Sequence, residues 1–218
     1  MEDAEIVKLW KSYDRKLEES LVFNRKNAED ITQIKIQSLL ASVKPLKIFA
    51  ILTGIIWVGF LDLLIIRFFN SASPFFLVSV IIQVLLTKLA LIIYLYQLIL
   101  INRVDVSEAI LTTQEKLSRL ISSTLWSVRL LLLQLPVWTT FYWNKSMLEN
   151  GNTWLYILQF IVTTTFIYLA AWFFYNIKYE NRNKKWFRLI FHGKEWMPLI
   201  KSMDILEQVH DYRVPTNN

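Results

Sequence analysis

The sequence predicts an all-α, polytopic membrane protein with four transmembrane helices and additional amphipathic helices in the cytoplasm. Its 218 residues are 54% hydrophobic and have a mean hydropathy of +0.35, which is too apolar for an ordinary soluble domain of this length. Only four Gly and five Pro are present, so few positions favour tight turns and the ordered part should be almost wholly helical.

Four apolar runs are long enough to be membrane spans. A helix rises ~1.5 Å per residue and needs about 20 apolar residues to cross a ~30 Å hydrocarbon core. The first two runs are joined only by the polar link Asn70-Ser-Ala-Ser73, which predicts a membrane hairpin, and Pro136 predicts a kink in the third. The predicted spans, which form a bundle over residues 48–178, are residues 48–69, 74–101, 125–143 and 154–177.

The remaining segments are charged. Residues 1–47 predict two amphipathic helices separated by the polar stretch 24–30, and residues 105–124 predict a helix that begins at a capping Asp105 and continues into the third span. These segments and the tail, residues 179–218, hold nearly all Lys and Arg. The positive-inside rule therefore places both termini in the cytoplasm.

Polar residues inside the spans lie at similar depths. Asp62 and Gln83 are ~15 Å and ~16 Å from the hairpin turn, whereas Lys88 is ~24 Å away and needs an extended side chain to reach Asp62. The predicted polar layer across all four helices consists of Asp62, Gln83, Lys88, Gln134 and Thr164.

This layer has two interpretations. Its members either hydrogen-bond between helices and fix their packing, or Asp62 and Lys88 form an ion-responsive site of a small channel or transporter component. The sequence has no second intramembrane carboxylate and no repeat between its halves, which favours packing. The inward face of the second span is predicted from a polar stripe of Ser79, Gln83, Thr87, Tyr94 and Gln97.

Two further surfaces are candidate binding sites. Leu9, Trp10, Tyr13 and Leu17 form one stripe of the N-terminal helix, which either packs on this chain, lies on lipid headgroups or docks a partner protein. Its charges alternate in sign, which favours a protein over lipid. In the tail, a basic aromatic cluster directly after the fourth span favours anionic lipid headgroups over nucleic acid. This cluster consists of Lys184, Lys185, Trp186 and Arg188.

Enzyme signatures are missing from the sequence. The chain has no Cys, and its two His, His192 and His210, lie in the tail with one nearby Glu each. No nucleophile, zinc-protease or phosphate-binding motif occurs. We therefore expect no catalytic residues, no metal site and no cofactor.

Motifs spread over nearly the whole chain carry a family resemblance. They are Leu9-Trp10-x-x-Tyr13-Asp14-x-Lys16-Leu17-Glu18 with Leu21 and Asn24, Asp105-x-Ser107, Thr113-Gln-Glu-Lys-Leu117, Arg129 with Leu135-Pro136, Asn183-Lys-Lys-Trp186, and Leu199 with Met203. In these the chain resembles an uncharacterised family of four-span integral membrane proteins of Bacteroidota. The resemblance implies a bacterial inner-membrane location and brings no catalytic residues.

These observations favour a non-enzymatic adaptor or regulator that docks a cytoplasmic protein through its N-terminal helix, because most charge lies on the predicted cytoplasmic helices. The channel or transporter component is the alternative. A membrane-tethered anti-sigma-like regulator is a further one, although the zinc motif of the better-known anti-sigma proteins is missing. Membrane lipid is an expected partner, nucleic acid is not, and association between copies of the chain is left open.

Overall fold

The computed structural model describes residues 2–103, 110–143, 149, 151–193 and 195–213, and these ranges contain helices but no strand. Four helices are long and apolar enough to cross a membrane. The predicted fold class is therefore confirmed. In chain order the elements are α1 (Glu2–Phe68), α2 (Pro74–Asn102), α3 (Ile110–Leu132), α4 (Leu135–Thr140), α5 (Thr153–Asn176), a 3₁₀ turn (Tyr179–Asn181), α6 (Lys185–Ile190) and α7 (Trp196–Arg213).

The first helix, α1, is continuous over 67 residues, so the predicted interruption at residues 24–30 is wrong. That stretch loses the apolar periodicity, but it contains no Gly or Pro and is rich in residues that tolerate helix well. Pro45 also lies inside α1. It removes one backbone N–H donor without ending the helix.

The hairpin between α1 and α2 is closed by Ser73. Its hydroxyl accepts from the backbone N–H of Phe76 at 3.2 Å, which caps α2, and donates to the carbonyl of Trp143 at 2.7 Å. Below the turn the two helices approach closely at Gly54, where a Cβ would lie 2.6 Å from Leu91 Cδ2. A larger residue at Gly54 would therefore require the Leu91 side chain to move.

The third span breaks as predicted at its proline. The helix ends at Leu132 and resumes at Leu135, because Pro136 has no N–H to continue the hydrogen-bond ladder. The predicted central helix and third span form one element, since α3 runs through their boundary at residues 124 and 125. Its predicted start at Asp105 lies outside the described residues.

The tail is part of the folded core. Helix α7 packs against α1 and α3, while α5 packs against α3 and α4. The buried cluster at this end of the bundle joins side chains of α1, α2 and α3 to those of the tail. Its tail members are Phe187, Phe191, Trp196, Leu199 and Leu206, and Ile177, directly after α5, also belongs to it.

Candidate functional site

The N-terminal part of α1 is a lone helix. Every described side chain from Ile6 to Ala28 is exposed, including the predicted docking stripe. The interpretation that the stripe packs on its own chain is therefore wrong for the described residues. The exposed fractions are 57% for Leu9, 69% for Trp10, 63% for Tyr13 and 59% for Leu17.

The first buried side chain of α1 is Ile36. From there Leu40, Val43 and Lys47 follow at helical spacing and are also buried, on a helix that packs against α2 and α7. Residues 6–28 thus extend ~34 Å along the helix axis without covering contacts. Because helices in proteins are stabilised mainly by packing of an apolar face, this stripe is the place where α1 lacks that stabilisation.

Asp62 and Lys88 form a direct ion pair. Lys88 Nζ lies 3.0 Å from Asp62 Oδ2, so the two side chains meet despite the predicted difference in depth. Both side chains are open to the surroundings, with exposed fractions of 41% for Asp62 and 49% for Lys88. The pair therefore lies on the surface of the α1–α2 hairpin and not in an enclosed site.

The other predicted polar residues form separate hydrogen-bonded groups. Gln134 Nε2 donates to Thr87 Oγ1 at 3.0 Å, and Thr87 in turn donates to the carbonyl of Gln83 at 2.8 Å. The first contact ties the break in the third span to α2, and the second lies within α2. The inward stripe of α2 is confirmed, because Ser79, Gln83, Thr87 and Gln97 are buried and Tyr94 is half-buried.

Thr164 is not a member of any such group, and its prediction is wrong. It is exposed, whereas its neighbour Thr163 bonds to Thr139 at 3.1 Å. One residue along a helix turns the side chain by about 100°, so equal depth did not identify the inward-facing threonine. The predicted single layer through all four helices is therefore not formed.

A buried lysine lies at the opposite end of the bundle from the hairpin turn. Lys47 is fully buried although it precedes the predicted first span and lies ~32 Å from the end of α1, beyond a ~30 Å hydrocarbon core. Its Nζ donates to Gln97 Oε1 at 2.5 Å and lies 4.9 Å from the centre of the Tyr94 ring. Burial lowers the pKa of Lys47, and the nearby Glu195 carboxylate acts in the opposite direction.

Sequence reasoning missed this lysine. The available signal was the row Ile36, Leu40, Val43 and Lys47, whose spacing of four, three and four places the lysine on the apolar face. Arg129, just inside the predicted third span, donates hydrogen bonds to the carbonyl of Ile177, directly after α5, and lies 5.2 Å from the Trp126 ring.

The members of the predicted headgroup-binding cluster differ in exposure. Lys184, Lys185 and Arg188 are exposed. Trp186 is partly buried and packs on Trp172 with ring centres 4.8 Å apart. The three cations are thus available to a surface, whereas the indole holds the tail against α5.

A cleft of about 590 Å³ lies between α1, α3 and the segment joining α6 to α7. Its walls are mainly apolar and include Phe49, Trp57 and Trp196, and Glu195 is the one ionisable residue among those described there. Such a surface suits acyl chains or apolar side chains. In the described part of the chain, no three His, Cys, Asp or Glu residues come together as a metal site would require.

Comparison of the chain with protein-family models, curated proteins and solved structures finds no match. The resemblance to four-span membrane proteins of Bacteroidota therefore stays a prediction.

Proposed function

We propose that this chain is a non-enzymatic adaptor or regulator of a bacterial inner membrane that docks a cytoplasmic protein through the N-terminal part of α1. One observation carries the proposal: the stripe of Leu9, Trp10, Tyr13 and Leu17 is fully uncovered on a helix that continues into a membrane span. A large exposed apolar stripe bordered by charges is typical of a helix that lies in a partner's groove.

The charges beside the stripe favour a protein over a lipid surface. Asp14 and Glu18 border it on one side, at about 40° and 80° around the helix from Trp10, and Lys16 lies on the other side. Helices that lie on anionic lipid carry Lys and Arg on their polar face. The expected partner therefore presents an apolar groove or helix with charges of both signs at its rim.

Affinity capture from mildly solubilised native membranes tests this function. The full-length chain is compared with a form that lacks residues 1–23, and copurifying proteins are identified by mass spectrometry. A stoichiometric soluble protein that is lost with the deletion supports an adaptor and identifies its pathway. Capture of the same proteins by both forms would contradict docking through this helix.

The proposed orientation gives a prediction of its own. Because the chain has no Cys, single substitutions report single sites. We expect Ser12→Cys and Lys201→Cys to be protected from a membrane-impermeant maleimide in intact spheroplasts and Ser71→Cys to be labelled. Lysed spheroplasts, in which all three positions should react, are the control. Labelling of Ser12→Cys before lysis would contradict a cytoplasmic N-terminal helix.

The alternative of a small channel or transporter component has less support. Its proposed centre, the Asp62–Lys88 pair, lies on the outside of the α1–α2 hairpin. The anti-sigma-like role is a special case of the adaptor, in which the docked protein is a sigma factor. The capture experiment distinguishes it by the partner's identity.

A further inference from the structure

One face of the α1–α2 hairpin is uncovered over the depth of the membrane. On α1 a row of side chains at alternating spacing of four and three residues is exposed or half-exposed along its length. Most are aliphatic, but Gly59 and Asp62 lie in the middle of the row. Its members are Leu52, Ile55, Gly59, Asp62 and Ile66.

Helix α2 carries a matching row with the same alternation of spacing. It consists of Ile81, Leu85, Lys88, Ile92 and Leu95, which are all exposed. The ion pair between Asp62 and Lys88 joins the two rows, so both lie on one side of the hairpin. We refer to these two rows together as the hairpin face. Helices α3 and α4 pack against other sides of α2, where the buried polar stripe lies.

The position of the ion pair makes exposure of this face costly. Asp62 is ~15 Å from the hairpin turn, which is the middle of a ~30 Å hydrocarbon core. Ionisable residues at that depth almost always face the interior of a bundle, because hydrocarbon solvates charge poorly. In the single chain the pair is instead about half exposed. A protein surface that covers it would remove this contact with lipid.

We propose that the hairpin face binds a second copy of this chain. Copies inserted in the same membrane share one orientation, so the two-fold axis of a closed dimer runs along the membrane normal. When two hairpin faces meet across this axis, α1 of each copy lies against α2 of the other. Asp62 of one copy then faces Lys88 of the other, and four charges of alternating sign form the centre of the interface.

The shape of the face also fits such a dimer. An added Cβ at Gly59 would meet no atom of the same chain within 4 Å, so packing inside one copy does not require a small residue there. Small residues on membrane helices let neighbouring backbones approach closely. Alternating spacing of three and four residues is the pattern by which left-handed helix pairs interlock. The proposal is independent of the docking function, since none of these residues lies in residues 6–28.

Reversing one charge in each of two variants and then mixing the variants tests the dimer. A folding defect would not be repaired by mixing. Asp62→Lys gives a face with two cations and Lys88→Asp a face with two anions. We expect each variant alone to be at least ten-fold less dimeric than the wild type when counted by single-molecule photobleaching in liposomes of low protein density. Mixed together, the two variants should form dimers that contain one copy of each.

Rescue in the mixture requires pairing between chains, because both variants lack the pair within the chain. Wild-type protein that is monomeric at every density, or variants that stay monomeric when mixed, would overturn the proposal.

A second pair of variants leaves the charges intact. Gly59→Trp places an indole within the hairpin face, and Phe60→Trp places one about 100° around α1 from it, at a position that is also exposed. We expect the Gly59 variant to lose dimers at least ten-fold and the Phe60 variant to match the wild type. Equal dimer fractions for the two variants would place the interface elsewhere and overturn the assignment.

Discussion

A chain carrying both Trp10→Asp and Leu17→Asp is expected to lose its soluble partner while it inserts into the membrane normally. The two side chains are exposed on the docking stripe and lie well before the first span, so neither change disturbs packing within the chain. Each would place a charge in an apolar interface. Central aromatic and aliphatic contacts of this kind each contribute about 2 kcal/mol, so we expect binding to weaken by more than about 100-fold.

A matched variant controls for charge and helix propensity. Ser12 lies about 160° around the helix from Trp10, and Val22 lies about 140° around it from Leu17; both side chains are exposed. The variant Ser12→Asp with Val22→Asp adds the same two carboxylates away from the stripe and should retain the partner. Equal loss from both double variants would show that capture depends on the charge of the segment and not on the stripe.

Replacement of Gln97 by Leu is expected to cause a large loss of stability. The amide oxygen of Gln97 is the hydrogen-bond acceptor that the described residues provide for the fully buried Lys47. A buried ammonium left without an acceptor costs about 2 to 3 kcal/mol. The apparent melting temperature of the detergent-solubilised protein should therefore fall by several degrees, whereas the exposed control Gln37→Leu should change it little.

Lys47→Met in the Gln97→Leu background separates loss of charge solvation from loss of packing. Removing the charge removes the need for an acceptor, and apolar replacement of buried polar pairs is often neutral or stabilising. We expect the double variant to melt near the wild-type temperature. A double variant no more stable than Gln97→Leu alone would mean that Gln97 acts through its packing.

The spans could be predicted from the sequence because length and hydropathy are read from it directly. Helix α2 ends at residue 102 against a predicted 101, and α5 covers residues 153–176 against a predicted 154–177. The break at Pro136 followed from its missing N–H donor. Each of these predictions uses only the residues of the segment that it describes.

Predictions that required the relative rotation of helices were less successful. Depth alone placed Thr164 in the polar layer, whereas its neighbour Thr163 faces inward. Composition alone grouped Trp186 with the exposed cations Lys184, Lys185 and Arg188, yet its indole is partly buried and packs on Trp172. Which face of a segment is covered depends on segments far away in the chain, and periodicity does not supply that information.

For the docking stripe, too, the sequence predicted the helix but not what covers its apolar face. Its spacing correctly predicted a helix with one apolar face, but self-packing, lipid and partner all fitted the pattern. The structure excludes only the first for the described residues, since Trp10 is exposed and the first buried side chain of α1 is Ile36. What covers the stripe in the cell has to be measured there.

Site-specific photo-crosslinking in living cells most directly measures which molecule contacts the docking stripe. A photoreactive amino acid is placed at Tyr13, on the stripe, or at Arg15, about 160° around the helix. Docking predicts that Tyr13 yields one crosslinked product with a soluble cytoplasmic protein and that Arg15 yields little. A product from Tyr13 that contains only lipid or a second copy of the chain, or equal products from both positions, would contradict it.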